Sequence, residues 1–565
     1  MKPHYWLIAL LPACSFFTDF PDVLGNGAQG GTGAQGGTGA TGAQGGTGGA
    51  QGGGGTGGAG AGSVCALDPG TTVEITCSDC DNCLAVNEGL CCPTVEPLFD
   101  VGLNLPAAPG TVDLELRDIT STTAGERFVG HFRAESVNGI SSYESPGRGA
   151  FVLASNGELK VLAQPCAEVG AAFEGDEIFF FGATTTLNAD GDQEYAVVGA
   201  MEAPRVRFAP NGSSVCDGPN GIDGPGMNGT AFAPFIAWFL PQSGEGAADL
   251  LRRTLNSTET TPSSDFGYLT DIAYPPAGAN ADVIAIGTAL RDPFAGTFDK
   301  AEFGYYLVRT DQNLGTPDVV DLQVPTCSDH YSTLAALQSS IAIASEDGRI
   351  VVGMTGCTSA SLMTLDANLN PDVGRTFQDA TITEVATTNE HILVAGTYSG
   401  DFDGLLGTGS ADGYVLAFPR VGYNNGTNIA WATRIEADDT GPAEIEAMVA
   451  AAGRVFVAGR FPVNGGVDPL VSCISATQNL GRGRSFVAAL AEADGRIEWL
   501  RVDGTQPTAM TAQPSGLATT SALNFNSDGS LIAATRMHGE MRLDCNGQIS
   551  SPDRPHVIAR ALDLP

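Results

Sequence analysis

The chain has 565 residues, of which 64 are acidic and 27 basic, so its formal net charge at pH 7 is −37. A surface of this charge repels nucleic-acid phosphates and anionic headgroups, which excludes DNA, RNA and polybasic membrane binding as its main role. Charged residues make up only 16% of the chain and glycine contributes 75 residues, a composition that favours strands and turns over long helices.

The first 14 residues predict an export signal that ends in a lipid-attachment site. Residues 5–11 form an apolar run that is too short to span a bilayer core of roughly 30 Å. The run ends in Leu11-Pro12-Ala13-Cys14, which resembles the lipobox of bacterial lipoproteins and implies that Cys14 receives the lipid. Ser15 resembles the signal for retention in the outer membrane. The alternative is a plain secretory leader that is cleaved elsewhere.

Residues 15–62 predict a flexible, glycine-rich tether. From Gly27 to Ala50, glycine occupies every third position. This period is typical of a collagen triple helix. The tract contains no proline, however, and the period breaks at Gln51. We therefore favour a flexible tether that grew by triplet duplication.

Residues 63–109 predict a small disulfide-rich segment. Without Cys14, the 13 cysteines of the chain leave an even number, as expected of disulfides in an oxidising compartment. The disulfide candidates are Cys65, Cys77, Cys80, Cys83, Cys91, Cys92, Cys166, Cys216, Cys327, Cys357, Cys473 and Cys545. The spacing of Cys77, Cys80 and Cys83 also suits an iron–sulfur cluster, but the next cysteines come too late for that motif.

Residues 110–565 contain an internal repeat that predicts the fold. Seven times, a short apolar strand ends in a small residue, and a second apolar strand follows. The seven strand ends are Phe128-Val129-Gly130, Val197-Val198-Gly199, Ala285-Ile286-Gly287, Val351-Val352-Gly353, Val394-Ala395-Gly396, Val457-Ala458-Gly459 and Ile532-Ala533-Ala534. Small residues there suit a crowded centre in which backbones approach closely.

These strands are apolar at nearly every position, as in residues 454–459. A strand that is apolar on both faces is buried on both faces. Blades stacked around a common axis bury their inner strands in this way. The sequence therefore predicts an all-β, seven-bladed β-propeller, with two stacked β domains as the alternative.

Two of the repeats resemble a known family. The residues that carry the resemblance are Val394 to Phe402, Ala411 to Phe418 and Ile429 to Trp431, and then Gly453 to Phe461, Ser485 to Leu490 and Ile497 to Trp499. They are similar to the beta-propeller repeat of the SBBP type, which is frequent in lipid-anchored, glycine-linked proteins of myxobacteria. The resemblance implies a propeller and export, and it carries no catalytic residues.

The six dispersed cysteines fit a ring of repeats, because each expected pair links one repeat to the next. The expected pairs are Cys166 with Cys216, Cys327 with Cys357, and Cys473 with Cys545. Closing loops of this size typically stabilises a fold by about 2–4 kcal/mol per bond.

One acidic turn is a calcium candidate. Oxygen-bearing side chains alternate at Asn188, Asp190, Asp192 and Glu194, and calcium takes oxygen ligands. The turn carries Gln193 where related calcium loops carry glycine, so an ordinary acidic turn is the alternative. No other cofactor is expected.

Patterns typical of enzymes are missing from the sequence, which has no closely spaced histidine pair and no G-x-S-x-G motif. We therefore expect a lipid-anchored, exported β-propeller of the bacterial cell envelope, held in the outer membrane, that binds or scaffolds an unknown protein or glycan ligand. The rivals are a hydrolase-like enzyme that uses the propeller channel and a passive envelope protein. Residues 204–232 and 462–484 are the expected contact loops. Carboxylates or histidines converging at one channel mouth would favour the enzyme.

Overall fold

The computed structural model describes residues 72–73, 83–85 and 94–564. Its gaps are residues 103–113, 134–147, 166–176, 189–190, 203–204, 209–220, 224–231, 257–266, 276–281, 292–293, 295–298, 312–315, 326–338, 357–358, 400, 403–404, 407–411, 424–427, 437–442, 462–469, 472–473, 477–481, 507–517, 527 and 543–547. The lipobox, the tether and most of the cysteine-rich segment lie outside the described residues. All regular elements in the described ranges are β-strands.

The strands form seven antiparallel blades of four strands each. Three strands precede the blades, namely β1 (Thr72–Val73), β2 (Cys83–Ala85) and β3 (Thr94–Gly102). The first blade consists of β4 (Leu114–Thr122), β5 (Gly125–Arg133), β6 (Arg148–Ala154) and β7 (Leu159–Pro165). The second consists of β8 (Glu177–Leu187) and β9 (Gln193–Glu202) and, after the short strands β10 (Arg205–Phe208) and β11 (Gly221–Asp223), of β12 (Ala233–Leu240) and β13 (Leu250–Asn256).

The next four blades repeat this order. The third consists of β14 (Gly267–Ala273), β15 (Val283–Arg291), β16 (Asp299–Thr310) and β17 (Asp318–Pro325), and the fourth of β18 (Ser339–Ile343), β19 (Ile350–Thr355), β20 (Ser359–Leu365) and β21 (Pro371–Gln378). The fifth consists of β22 (Ala380–Thr387) and β23 (His391–Tyr398) and, after β24 (Asp401–Phe402) and β25 (Leu405–Leu406), of β26 (Asp412–Pro419) and β27 (Trp431–Glu436). The sixth consists of β28 (Glu444–Ala451) and β29 (Arg454–Phe461) and, after β30 (Leu470–Val471) and β31 (Ile474–Ala476), of β32 (Arg482–Ala491) and β33 (Ile497–Gln506).

The seventh blade combines strands from distant parts of the chain. Its first three strands are β34 (Ala518–Phe525), β35 (Leu531–Arg542) and β36 (Gln548–Asp563). Its outer strand is β3, which pairs antiparallel with β36, from Thr94 opposite Asp563 to Gly102 opposite His556. The sequence analysis assigned residues 94–102 to the cysteine-rich segment. Because β3 pairs with β36, the propeller begins before residue 110. This pairing ties the first described part of the propeller to the last.

The first strands of the seven blades form a closed ring. Strands β4, β8, β14, β18, β22, β28 and β34 each pack against the next, and β34 packs against β4. Hydrogen bonds join the last blade to the first. Ser521 Oγ donates to the carbonyl oxygen of Leu116 at 2.5 Å, and Ser121 Oγ donates to that of Phe525 at 2.7 Å. The inner strands thus surround a common axis, which we call the channel, and their closed ring confirms the predicted seven-bladed fold.

The predicted apolar strands are the second and third strands of the blades, and both of their faces are buried. In β9, every residue from Tyr195 to Met201 is buried. Val198 and Ile236 of the second blade pack in one core cluster with Ile272 and Ala285 of the third blade. Burial between stacked blades therefore explains why these strands are apolar at consecutive positions.

The repeated glycine has a more specific role than crowding at a strand end. In six blades the inner strand carries a β-bulge, such as the one between Leu116 and Asp118 in β4. In five of these blades, a glycine of the second strand pairs with the residue just before the bulge. The bulge leaves no room for a side chain at this glycine. A Cβ on Gly396, for example, would lie 1.9 Å from the carbonyl oxygen of Thr381. In the seventh blade Thr535, not Ala534, takes this position, so the predicted seventh strand end was one residue out of register.

Candidate functional site

The two ends of the propeller differ in how the strands are connected. We call the end at which the inner strands begin the entry face. In an antiparallel four-stranded blade, the segments that join the second strand to the third, and one blade to the next, begin and end at this face. The two expected contact loops, residues 204–232 and 462–484, follow second strands. Both loops therefore begin and end at the entry face. Most of their residues lie outside the described ranges. The described turns between first and second strands are short.

Charged side chains from three neighbouring blades converge where the channel opens at the entry face. We call this set the mouth cluster. It comprises Glu115, Arg117, His131, Glu444, Glu446, Arg460 and Arg536. The first blade supplies the first three residues, the sixth blade supplies the next three, and the seventh supplies Arg536. The acidic residues begin the inner strands β4 and β28, whereas His131, Arg460 and Arg536 lie at equivalent positions on second strands.

Glu115 is surrounded by basic side chains. Its carboxylate is ion-paired with Arg117, and its oxygens lie 3.4 Å from His131 Nε2 and 3.4 Å from Arg536 Nη1. Burial favours the neutral acid, but these three neighbours outweigh it and hold the pKa of Glu115 well below its usual value. Glu115 is therefore a fixed negative charge that links the first blade to the seventh.

Glu446 is the second carboxylate at this opening, and its environment is different. It occupies the bulge position of β28, where burial raises its pKa although Arg460 and Arg117 lower it. Arg460 is held by Glu444 through Nη2 at 2.5 Å and Nε at 2.6 Å. The opening thus carries one carboxyl group with a lowered pKa and one with a raised pKa.

An aromatic wall continues the opening across the second and third blades. It comprises Phe179, Phe181, Phe232 and Tyr268. Phe179 and Phe181 stack with ring centroids 5.5 Å apart, and Phe181 stays partly exposed. The imidazole of His131 lies 5.1 Å from the Phe179 ring at an angle of 72°, so the charged and aromatic parts of the mouth are in contact.

Two aspartates lie deeper along the inner strands and join neighbouring blades. Asp118 accepts hydrogen bonds from the backbone N–H groups of Ile119 and Ala183, both at 2.7 Å. Ala183 belongs to the next blade. Asp271 repeats this arrangement in the third blade and accepts from the N–H of Ile341, in the fourth blade, at 2.8 Å. Each aspartate therefore stabilises a contact between blades.

Glu384 of the fifth blade completes a set that we call the channel carboxylates, together with Asp118 and Asp271. Its Oε2 accepts from Ser340 Oγ at 2.7 Å. Burial, followed by repulsion from Asp271, raises the pKa of Asp118 to about 7. Burial also raises the pKa of Asp271 to about 6, and burial and Asp271 raise that of Glu384 well above its usual value. Each of these three groups accepts a hydrogen bond from a neighbouring blade, which gives it a structural role.

The structure places the predicted calcium residues in a tight turn and on a strand. Asn188 Oδ1 accepts the backbone N–H of Asp192 at 2.8 Å, which closes the turn. Glu194 is buried on β9, and its Oε2 lies 2.7 Å from Arg253 Nη1. Asp190 lies outside the described residues. Within the described part of the chain, no group of three or more His, Cys, Asp or Glu side chains is placed to hold a metal ion.

The predicted lipid and disulfide sites fall on side chains that the structure does not describe. Cys14 and the side chains of all twelve disulfide candidates lie outside the described residues, so these sites stay predictions. Among the described residues, no helix has the length and apolar character needed to cross a membrane.

Sequence reasoning missed the mouth cluster, although a signal for it was present. Glu115-Leu116-Arg117 and Glu444-Ile445-Glu446 alternate charged and apolar residues. This period is typical of a strand with only one buried face. The two segments precede the repeated glycine by the same 15 positions, so an alignment of the repeats would have placed their charges together.

Comparisons with known proteins identify no family. No family model and no curated protein matches the chain. Among solved structures, the Dos1 propeller aligns over 83% of this chain and 95% of its own, with 8% identity and a TM-score of 0.41. The quinohemoprotein alcohol dehydrogenase ADHIIG from Pseudomonas putida HK5 aligns over 83% of this chain and 76% of its own, with 11% identity and a TM-score of 0.37. A Trypanosoma rangeli sialidase in complex with sialic acid aligns over 84% and 59%, with 8% identity and a TM-score of 0.30. The seven-bladed fold is therefore assigned from the strand pairing.

Proposed function

We propose that this protein is a lipid-anchored β-propeller of the bacterial outer membrane that binds an envelope ligand, a protein or a glycan, at the entry-face mouth of its channel. The lipobox-like Leu11-Pro12-Ala13-Cys14 and the glycine-rich tether support the anchoring. Two or more acyl chains make such an anchor stable.

One observation carries the binding role. The mouth cluster and the aromatic wall are in contact and lie on the face where the two enlarged loops begin and end. A binding site needs a few polar groups that fix orientation beside apolar surface that is shielded from water. The inner strands hold both kinds of side chain on a rigid ring.

Matched arginine variants test the binding site. The full chain is titrated with isolated envelope glycans and with a random peptide library, and R117M is compared with R349M. Arg349 is a half-buried arginine near Asp372, on the turn between β18 and β19 at the opposite face. We expect R117M to weaken binding at least tenfold and R349M to leave it unchanged. Equal affinities for both variants would contradict a site at the mouth.

The anchoring is tested separately by fractionation and metabolic lipid labelling. Wild-type protein is expected in the outer-membrane fraction with radiolabelled palmitate attached, whereas C14A is expected in the soluble fraction without label. Identical fractionation of the two proteins would contradict lipid attachment at Cys14. Protease shaving of intact cells then shows which membrane face displays the propeller.

A hydrolase is the second candidate, and one observation favours it. Two carboxyl groups at the same opening, Glu115 and Glu446, have pKa values shifted in opposite directions, which is the pattern of an acid–base pair. Release of nitrophenol from nitrophenyl glycosides would support this function only if E446Q abolishes the release while ligand affinity is kept.

A further inference from the structure

The charges of the mouth cluster are balanced. Its described residues include three arginines and three glutamates, and each glutamate lies beside at least one arginine. A ligand with a net charge would meet repulsion from half of these groups. A neutral ligand that both donates and accepts hydrogen bonds can use guanidinium donors and carboxylate acceptors together.

The aromatic wall places an apolar ring at a position that is otherwise polar. In the other bulged blades, the residue at the bulge is Arg117, Thr270, Thr383, Glu446 or Ser521. In the second blade it is Phe181. This ring remains partly exposed at the channel opening, although Phe179 stacks against it.

A ligand that matches both features has an apolar face and hydroxyl groups around its edge. We infer that the mouth binds a neutral carbohydrate, with a sugar ring packed against Phe181 and with hydroxyl groups bonded to Arg117 and Glu446. This inference rests on the proposed function, because it names the ligand class of the same site. Hydroxyl groups serve as donor and acceptor at once, and aromatic rings bury apolar C–H surface efficiently.

A glycan array tests the inference with the full chain as the probe. The array carries neutral oligosaccharides of glucose, galactose, mannose and N-acetylglucosamine, together with sialylated and uronic-acid oligosaccharides. We expect binding to neutral members, with F181A weakening the affinity for the best of them about tenfold in calorimetric titration. E446Q keeps the shape of the side chain but loses acceptor strength, and we expect a loss of about fivefold or more.

F525A is the matched control. Phe525 ends the inner strand β34 at the opposite face and is also a partly exposed aromatic residue that contacts a neighbouring ring, that of Phe456. We expect F525A to leave sugar affinity unchanged. Melting temperatures of the three variants check that each is folded before its affinity is interpreted.

The outcomes separate this inference from the proposed function. The neutral-carbohydrate assignment would be overturned by binding that is confined to acidic oligosaccharides. It would also be overturned if F181A and E446Q left the affinity for neutral sugars unchanged. Binding of library peptides that both variants weaken would also overturn it, while leaving the proposed function in place. Absence of binding to both the array and the peptide library would overturn both.

Discussion

A methyl group placed at Gly396 tests the physical reason for the repeated glycine. In the G396A variant, the added Cβ would lie 1.9 Å from the carbonyl oxygen of Thr381 and 3.1 Å from Cα of Ile382. Both contacts are with the backbone of the inner strand, so no side chain can rotate away. Strands β22 and β23 must move apart by about 1 Å or more before the contact becomes tolerable.

The cost of G396A follows from that displacement. Overpacking of a well-packed interior typically costs about 1–3 kcal/mol, and weakening two adjacent ladder hydrogen bonds adds about 1 kcal/mol each. We therefore expect destabilisation of about 3–5 kcal/mol. With an unfolding entropy near 2.1 cal/mol/K per residue over about 470 residues, the melting temperature should fall by roughly 3–5 °C.

Differential scanning calorimetry at one fixed scan rate measures this difference. The matched control is G374A, because a Cβ at Gly374 would meet only the carbonyl oxygen of Leu362 at 3.8 Å. We expect G374A to melt at or slightly above the wild-type temperature. If G396A melts within about 1 °C of G374A, the bulge does not explain the glycine.

Three further predictions concern ion pairs, pH and metal. Asp249 is buried, and its Oδ2 lies 2.6 Å from Nε of the fully buried Arg127. By the same calorimetry, D249A should lower the free energy of unfolding by about 3–5 kcal/mol. The control D318A removes an exposed ion pair and should lower it by only about 0–1 kcal/mol. Folding raises the pKa of Asp118 from 3.8 to about 7, so the folded state binds this proton more tightly than the unfolded state does. In denaturant titrations, the free energy of unfolding of the wild type relative to D118N should therefore be greatest near pH 4. This difference should fall by up to about 4 kcal/mol as the pH rises to 8. An advantage that grows with pH would contradict this sign. Chelation with EDTA should leave the melting temperature unchanged, because Glu194, the last carboxylate of the turn at 188–194, is ion-paired with Arg253. A fall of several degrees would indicate that calcium binds at this turn.

The fold could be predicted from the sequence because its signal is local and repeated. Residues 454–459 are apolar at consecutive positions, and each of the seven repeats supplies a buried strand of this kind. The closing strand could not be predicted, since residues 94–102 pair with residues 556–563, more than 400 positions away. No local pattern encodes such a partner.

The mouth could be predicted only in part. The enlarged loops begin and end on the same face as the mouth cluster, because their positions after second strands follow from the repeat. The meeting of Glu115, Arg117 and Glu446 depends on ring closure, which places the first blade beside the seventh blade, and the seventh blade adjoins the sixth. Which blades become neighbours when the ring closes is decided by the tertiary structure. The period of the sequence alone does not predict it.

Hydrogen–deuterium exchange of the full chain, with and without the best-binding oligosaccharide of the array, tests the central claim most directly. We predict protection at the starts of β4, β8 and β28, around Glu115, Phe181 and Glu446, and no change in the turns of the opposite face. Protection confined to those opposite turns, or to the outer strands of the blades, would contradict a ligand site at the entry-face mouth.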